Sequence, residues 1–292
     1  MTHFQLQAVA WTSHLLPRHS RLLLPNSRLS FNLSRLDGIS HLHFWRGRYG
    51  GLALSASKFE SSNLDMKKKR QVVEHICLLK AKEDVSEEDE MGMLDHLYTS
   101  QYQMRGIVTV SLGRVSNEVE GKYTHALCMR FQRKDDVARF YDNPFYLEIL
   151  KEHVMPYCHE IVNVDFESEV EDDILSIFRK GEEFNYGVEF VLLIAFDGNS
   201  FGAPAEDALM SLEKLAIDFP SLIVQITKGS NFNLSSKEFT HAVNIRFRSM
   251  EAFEIFFSSK DYSDVWRLKF ELITRKTISL HFSVDPVGED IM

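Results

Sequence analysis

Tyr123-Thr-His-Ala-Leu-Cys-Met-Arg-Phe131 returns 116 residues later as Phe239-Thr-His-Ala-Val-Asn-Ile-Arg-Phe247. In each copy His, an aliphatic residue, Met or Ile, and Phe occupy alternate positions (His125, Leu127, Met129, Phe131; His241, Val243, Ile245, Phe247). That period of two predicts a strand with one buried face. The match continues: Val137-Ala-Arg-Phe140 aligns with Phe253-Glu-Ile-Phe256, and Tyr146 with Tyr262. Upstream, Val73-Glu-His-Ile-Cys-Leu-Leu-Lys80 aligns with Val188-Glu-Phe-Val-Leu-Leu-Ile-Ala195. A repeat of this length decides the fold class before any single element is considered.

Within residues 71–167 the expected order is β-α-β-β-α-β. Gln71–Lys80 reads as a strand with Val73, His75, Cys77 and Leu79 on one face. Ser86 is the expected N-cap of a helix carrying Met91, Leu94 and Tyr98 at helical spacing. Ile107–Gly113 reads as the second strand, and the quoted stretch is the third. A helix from Asp135 is interrupted at Asn143-Pro144, because the residue before proline is pushed out of helical geometry. Ile161–Phe166 closes the copy. An acid-dense segment, 168–184, reads as a linker. Residues 185–285 repeat the programme, with a helix from Pro204 to Phe219 presenting Ala208, Leu212, Leu215 and Phe219, and a last strand at Ile278–Phe282.

Composition bounds the function. At 292 residues, 44% hydrophobic and 26% charged, the chain has room for about two domains. The net charge of −9 is uneven. Residues 1–70 hold eleven Lys/Arg against three Asp/Glu, leaving 22 against 39 for the remainder. An acidic body argues against a nucleic-acid surface. No apolar run approaches a membrane span. Three cysteines without a CxxC pair fit a reducing compartment rather than a disulfide framework or zinc site. Met1–Leu36 lacks acidic residues while Arg18, Arg21, Arg28 and Arg35 stand among Ser, Leu and His. That is the composition of an organelle transit peptide, expected over 1–58. A chloroplast is the first destination considered, with mitochondrion, peroxisome or cytosol as alternatives.

The strand-one His and Lys (His75, Lys80), the glycine-ended second strand, the Tyr123-Thr124-His125 triplet and Pro144, in this order over two copies, resemble the stress-responsive dimeric α/β-barrel family, often called Dabb. The resemblance covers about 75–285 and is nearest to plant proteins with two such domains behind an N-terminal extension. It implies an α+β fold of two tandem ferredoxin-like domains. Their sheets pair as a barrel, here within one chain, with homodimerisation between chains also open.

Some members, the plant polyketide cyclases, use a Tyr on the second helix and a His after a His-Pro step. Those positions are Phe140 and Tyr146 here, with Asn143 before Pro144, and Phe256, Lys260 and Tyr262 in the second copy. The acid and base are therefore replaced. The expected function is non-enzymatic: binding of a small hydrophobic ligand or a protein partner in a stress response. The alternative is a cyclase or other lyase with His75 or His125 as base. Ligand-cleft candidates are His75, Lys80, Tyr123, His125, Phe140, Tyr146 and His241, with Tyr141 and Tyr157 as possible rim. His125 and His241 share a face with Leu, Met, Ile and Phe, so a hydrogen-bonded wall role competes with a chemical one. No metal site or cofactor is expected beyond a cation that main-chain carbonyls from Tyr98 to Met104 could hold.

Overall fold

The computed structural model describes residues 69–116, 123–171, 187–200 and 202–284. The expected transit peptide, most of the acidic linker and the tail from Asp285 lie outside the described residues. The first repeat runs β1 (Lys69–Ala81), α1 (Glu87–Gln103), β2 (Ile107–Arg114), β3 (His125–Phe131), α2 (Lys134–Tyr141), α3 (Pro144–Ile149, continued by one wide turn to Val154) and β4 (Cys158–Glu171). The second runs β5 (Val188–Phe196), α4 (Ala203–Ile217), β6 (Ile223–Ser230), β7 (His241–Phe247), α5 (Met250–Phe257), α6 (Lys260–Val265, again with a wide turn, to Phe270) and β8 (Thr274–Ser283). Each repeat forms one four-stranded antiparallel sheet, ordered β2-β3-β1-β4 and β6-β7-β5-β8.

The local signals explain most elements. Ser86 caps α1 by accepting the Asp89 N–H, and four acidic residues fill the first turn, where the helix dipole favours them. Asn143 accepts the Phe145 N–H and so caps α3, with Pro144 in its first turn. Two expectations change. The buried stripe of α1 is Met93, Leu97 and Ser100, and Met91 is exposed. Two neighbouring stripes at i, i+3/i+4 spacing were available, and the one continuous with buried Met104 faces the sheet. β4 also extends to Glu171, four residues into the segment read as linker. Its acids conceal a strand alternation: Glu167 and Glu169 are exposed or half-exposed while Phe166 and Val170 are buried, and Lys69 pairs with Glu171 in the ladder.

The other face of each sheet explains why the chain is built twice. Ile76, Leu78, Val164 and Phe166 of repeat one share a buried cluster with Val191, Leu193, Leu280 and Phe282 of repeat two. Those residues would lie bare if either sheet stood alone. The sheets meet along both edges. At β4/β6, Phe232 N–H donates to Asp165 O at 2.9 Å and Lys228 N–H to Ser168 Oγ at 3.3 Å. At β2/β8, Val115 bridges Phe282 and Ser116 N–H donates to His281 O at 2.9 Å. Edges that would template aggregation are thus covered.

Gly113 and Gly229 make these joints possible. A Cβ there would lie 2.4 Å from the carbonyl oxygen of Ser283 or Glu167 in the opposite repeat. Between the sheets sit two buried ion pairs at equivalent positions, Glu74–Arg130 and Glu189–Arg246. Each is tied to the other repeat: Arg130 donates to Gln225 Oε1 at 2.6 Å, and Ser111 to Glu189 Oε1 at 3.1 Å. They close around a cavity of about 20 Å³, room for roughly one water. The three cysteines are free and buried. No described helix is long and apolar enough to cross a membrane.

Candidate functional site

The ladder sets His75 on β1 directly opposite Asp165 on β4, both on the helix-facing side. Their side chains join, His75 Nδ1–H donating to Asp165 Oδ1 at 2.7 Å. Tyr141, the last residue of α2, donates its hydroxyl to Asp165 Oδ2 at 2.9 Å and stands 3.1 Å from His75 Nδ1. The network is completed by the other repeat. Asn233 Nδ2 donates to Asp165 Oδ2 at 2.7 Å and to the Tyr141 oxygen at 2.8 Å. Asn231 holds that loop in place, its Oδ1 accepting the N–H groups of Asp165 and Asn233.

This polar cluster forms the floor of a cleft of about 400 Å³, walled by Val137, Ala138, Phe232 and Leu234. Lys134 lies over the Phe232 ring at 4.0 Å, at the same cleft. Burial, then the Asp165 charge, pushes the Tyr141 phenol far above its ordinary value, so it remains a protonated donor. His75 does not line the cleft. It is fully buried, with its ring against Phe131, Phe140 and Tyr141, and its Nε2 has no hydrogen-bond partner among the described residues.

His125 stands elsewhere. It faces Leu79 in the ladder, four positions along β1 from His75, or roughly 13 Å at strand rise. Its Nε2–H donates to Glu90 Oε1 at 2.5 Å, and Arg114 forks onto both Glu90 oxygens at 2.8 and 2.6 Å. Burial depresses the His125 pKa more than Glu90 raises it. Burial alone would raise Glu90, yet the hydrogen bonds from Arg114 and His125 bring it below its ordinary value. The two shifts agree if Arg114 carries the positive charge and His125 is a neutral donor. In repeat two, His241 lies in a separate cleft of about 540 Å³ beside Glu206 and Ser230.

Residues 73–168 match the sequence profile of the stress responsive A/B barrel domain. That match spans the first repeat, about a third of the chain. A stress-response A/B barrel domain-containing protein of Arabidopsis thaliana is 27% identical over 217 residues, covering 73% of this chain and 79% of that protein. Among solved structures, an anthrone oxidase-like protein is 8% identical with a TM-score of 0.52, covering 76% of this chain and 95% of its own. A candidate monooxygenase of Fusobacterium nucleatum is 7% identical, also with a TM-score of 0.52, over 74% and 93%. At such identities the two structures establish the shared fold alone.

The acid and base positions that the A/B barrel resemblance assigns are filled by core residues here. Phe140 and Tyr146 are buried, their ring centroids 3.9 Å apart, and burial pushes the Tyr146 phenol well above its ordinary value. Tyr123 belongs to the cluster between the sheets, its hydroxyl donating to Glu160 at 3.0 Å. Lys80 faces Glu160 in the ladder and, by strand alternation, points away from the His75 side. Tyr157 donates to Asp89 and serves the start of α1. The seven cleft candidates are therefore dispersed over the helix side of repeat one, the space between the sheets, and repeat two.

Two residues at the cleft floor, Asp165 and Asn233, are not among the sequence-based candidates. Asp165 carried a misleading signal: it alternates with Val162, Val164 and Phe166, so the period of two sets it on the polar face of the strand, where contacts from Tyr141 and Asn233 bury it. Asn233 carried none, because its role depends on the other repeat's position. Among the described residues no three His, Cys, Asp or Glu side chains gather as a metal-binding group.

Proposed function

We propose that this A/B barrel protein binds a small, mostly apolar molecule bearing one hydroxyl or carbonyl group, in the cleft floored by Tyr141, Asp165 and Asn233. The observation that carries this reading is the saturation of Asp165. Three donors, from His75, Tyr141 and Asn233, already hold its carboxylate. With its oxygens held by these donors, the cluster offers a fixed polar anchor under apolar walls, as small-molecule sites require. The loop from repeat two supplies one wall and one anchor, so the site depends on both copies.

A second reading, a lyase or cyclase with His75 as base, draws support from the imidazole–carboxylate pair itself. Against it stands the aromatic seal around His75, which gives no substrate access to Nε2. His125, the other candidate base, already spends both ring nitrogens on Glu90 and Thr124. The basic, acid-poor N-terminal composition supports delivery to an organelle, the chloroplast first. Tagging the full chain with a fluorescent protein would reveal the compartment.

The test is a calorimetric screen of aromatic and aliphatic alcohols and ketones against the protein, with Tyr141→Phe and Asn233→Ala as variants. Binding that weakens by about 1.4 kcal/mol, tenfold, in either variant is expected. Turnover of a bound ligand that His75→Ala abolishes would replace the binding reading with the catalytic one.

A further inference from the structure

The two repeats present the same three-residue arrangement in two states, one filled and one open. In repeat one the guanidinium of Arg114 occupies a seat made by Glu90, itself bonded to His125. The equivalent backbone is retained in repeat two. Glu90 N–H donates to the oxygen of N-cap Ser86, and Glu206 N–H to that of N-cap Gly202. Arg114 faces His125 across β2 and β3, and Ser230 faces His241 across β6 and β7. Each His takes its Nδ1 contact from the preceding Thr, at 2.9 Å from Thr124 and 3.0 Å from Thr240. Glutamate and histidine persist, whereas the arginine has become serine and the N-cap side chain is gone. What remains is the cleft of about 540 Å³ that Glu206, Ser230 and His241 line.

We propose that this cleft binds the guanidinium group of a small solute, seated where Arg114 sits in repeat one. Three features suit it to that ligand. Glu206 offers a carboxylate at the first turn of α4, with no arginine lining the cleft to occupy it, and a carboxylate in this position accepted a two-pronged guanidinium in repeat one. Ser230 Oγ lies 3.0 Å from His241 Nε2, so the ring is held in place. Phe232 and Phe239 provide apolar walls for a methylene stem, and Lys237 at the exposed rim would meet an anionic far end. Burial lowers the His241 pKa more than Glu206 raises it, which leaves the ring uncharged and compatible with a cation alongside. The site is separate from the Tyr141 cleft, although the turn at Asn231–Leu234 borders both.

The experiment is an NMR titration of the full chain with agmatine and with arginine, using citrulline, whose ureido group is neutral, as the control. Agmatine and arginine are expected to shift Ser230, Thr240 and His241 resonances, with citrulline at least about tenfold weaker. Glu206→Gln should weaken both cations by a similar factor. Ser230→Arg should abolish their binding and raise the melting temperature by rebuilding the repeat-one arrangement, which also shows that the variant folds. Tyr141→Phe should leave the cations bound, so failure of the Tyr141 cleft reading and failure of this one are distinguishable. Equal binding of citrulline, retained binding in Ser230→Arg, or no shift at these residues with either cation at saturating concentration would each overturn the proposal.

Discussion

Repeats one and two share a backbone plan and have exchanged which end of the helix-facing sheet surface is polar. Near α2, repeat one places His75, Asp165 and Tyr141. At the same stations repeat two has Phe190, His281 and Phe257, with Phe190 and Phe257 rings 4.5 Å apart and His281 packed on Phe253 at 4.3 Å. Near the first turn of the long helix the order reverses: Arg114 closes repeat one and Ser230 leaves repeat two open. The difference shows that two copies of one backbone plan need not fill the same station alike. Whichever copy packs a station with aromatic or ionic partners supplies rigidity there, and the other is left with a cleft. The turn at 231–236 belongs to repeat two by sequence and to the repeat-one cleft by position.

The features the repeats hold in common should break most when disturbed. Arg246→Ala leaves Glu189 buried and uncompensated between the sheets, and should cost about 3–5 kcal/mol in urea denaturation. Replacing Glu189 and Arg246 together with Leu and Met should recover most of that loss, which separates the penalty of a lone charge from the value of the pair. Gly229→Ala sets a Cβ against the Glu167 carbonyl and should cost about 1–3 kcal/mol. Gly92→Ala, whose Cβ meets nothing within 4 Å, should instead stabilise α1 by about 0.5–1 kcal/mol, and equal effects at the two glycines would contradict the close approach at the joint.

The stations that differ should break less and can be exchanged. His75→Phe imports the repeat-two ring but strips Asp165 of a buried donor, costing about 1–3 kcal/mol. Adding Asp165→His and Tyr141→Phe, so that all three stations follow repeat two, should return part of it; a triple variant no more stable than the single one would refute the equivalence of the stations.

A pH series gives the smallest effect. Burial is the first cause lowering the pKa of His125, His241 and His281 from the ordinary 6.5. The unfolded chain therefore binds protons near pH 6.5 that the folded chain refuses until lower pH. Stability from these groups is complete above about 6.5 and declines as pH falls from there through the folded values. Glu90, held below 4.5, adds its own loss further down, as pH falls from 4.5 through its folded value. A melting temperature unchanged from pH 7.5 to 5 would remove the buried-histidine account.

The duplication, the strand face that carries His125 and His241, and the strand–helix order are all legible in the amino-acid pattern. These follow from short-range rules: alternation, a capping serine, and a proline that interrupts a helix. The resemblance to the A/B barrel family, carried over position by position, adds that Phe140 and Tyr146 stand where some of its members have an acid and a base. Folding in three dimensions sets His75 and His125 about four residues of strand apart and joins Asp165 to one and Glu90 to the other. Cross-strand register and helix docking fix those pairings, and neither is encoded in any single window. Asn233 is the limiting case. Its amide reaches Tyr141 and Asp165, 92 and 68 residues away, only because the two sheets close on each other around shared apolar residues. The contact that completes the cleft is thus a consequence of burying both sheet faces, a free energy belonging to the folded pair of repeats as a whole.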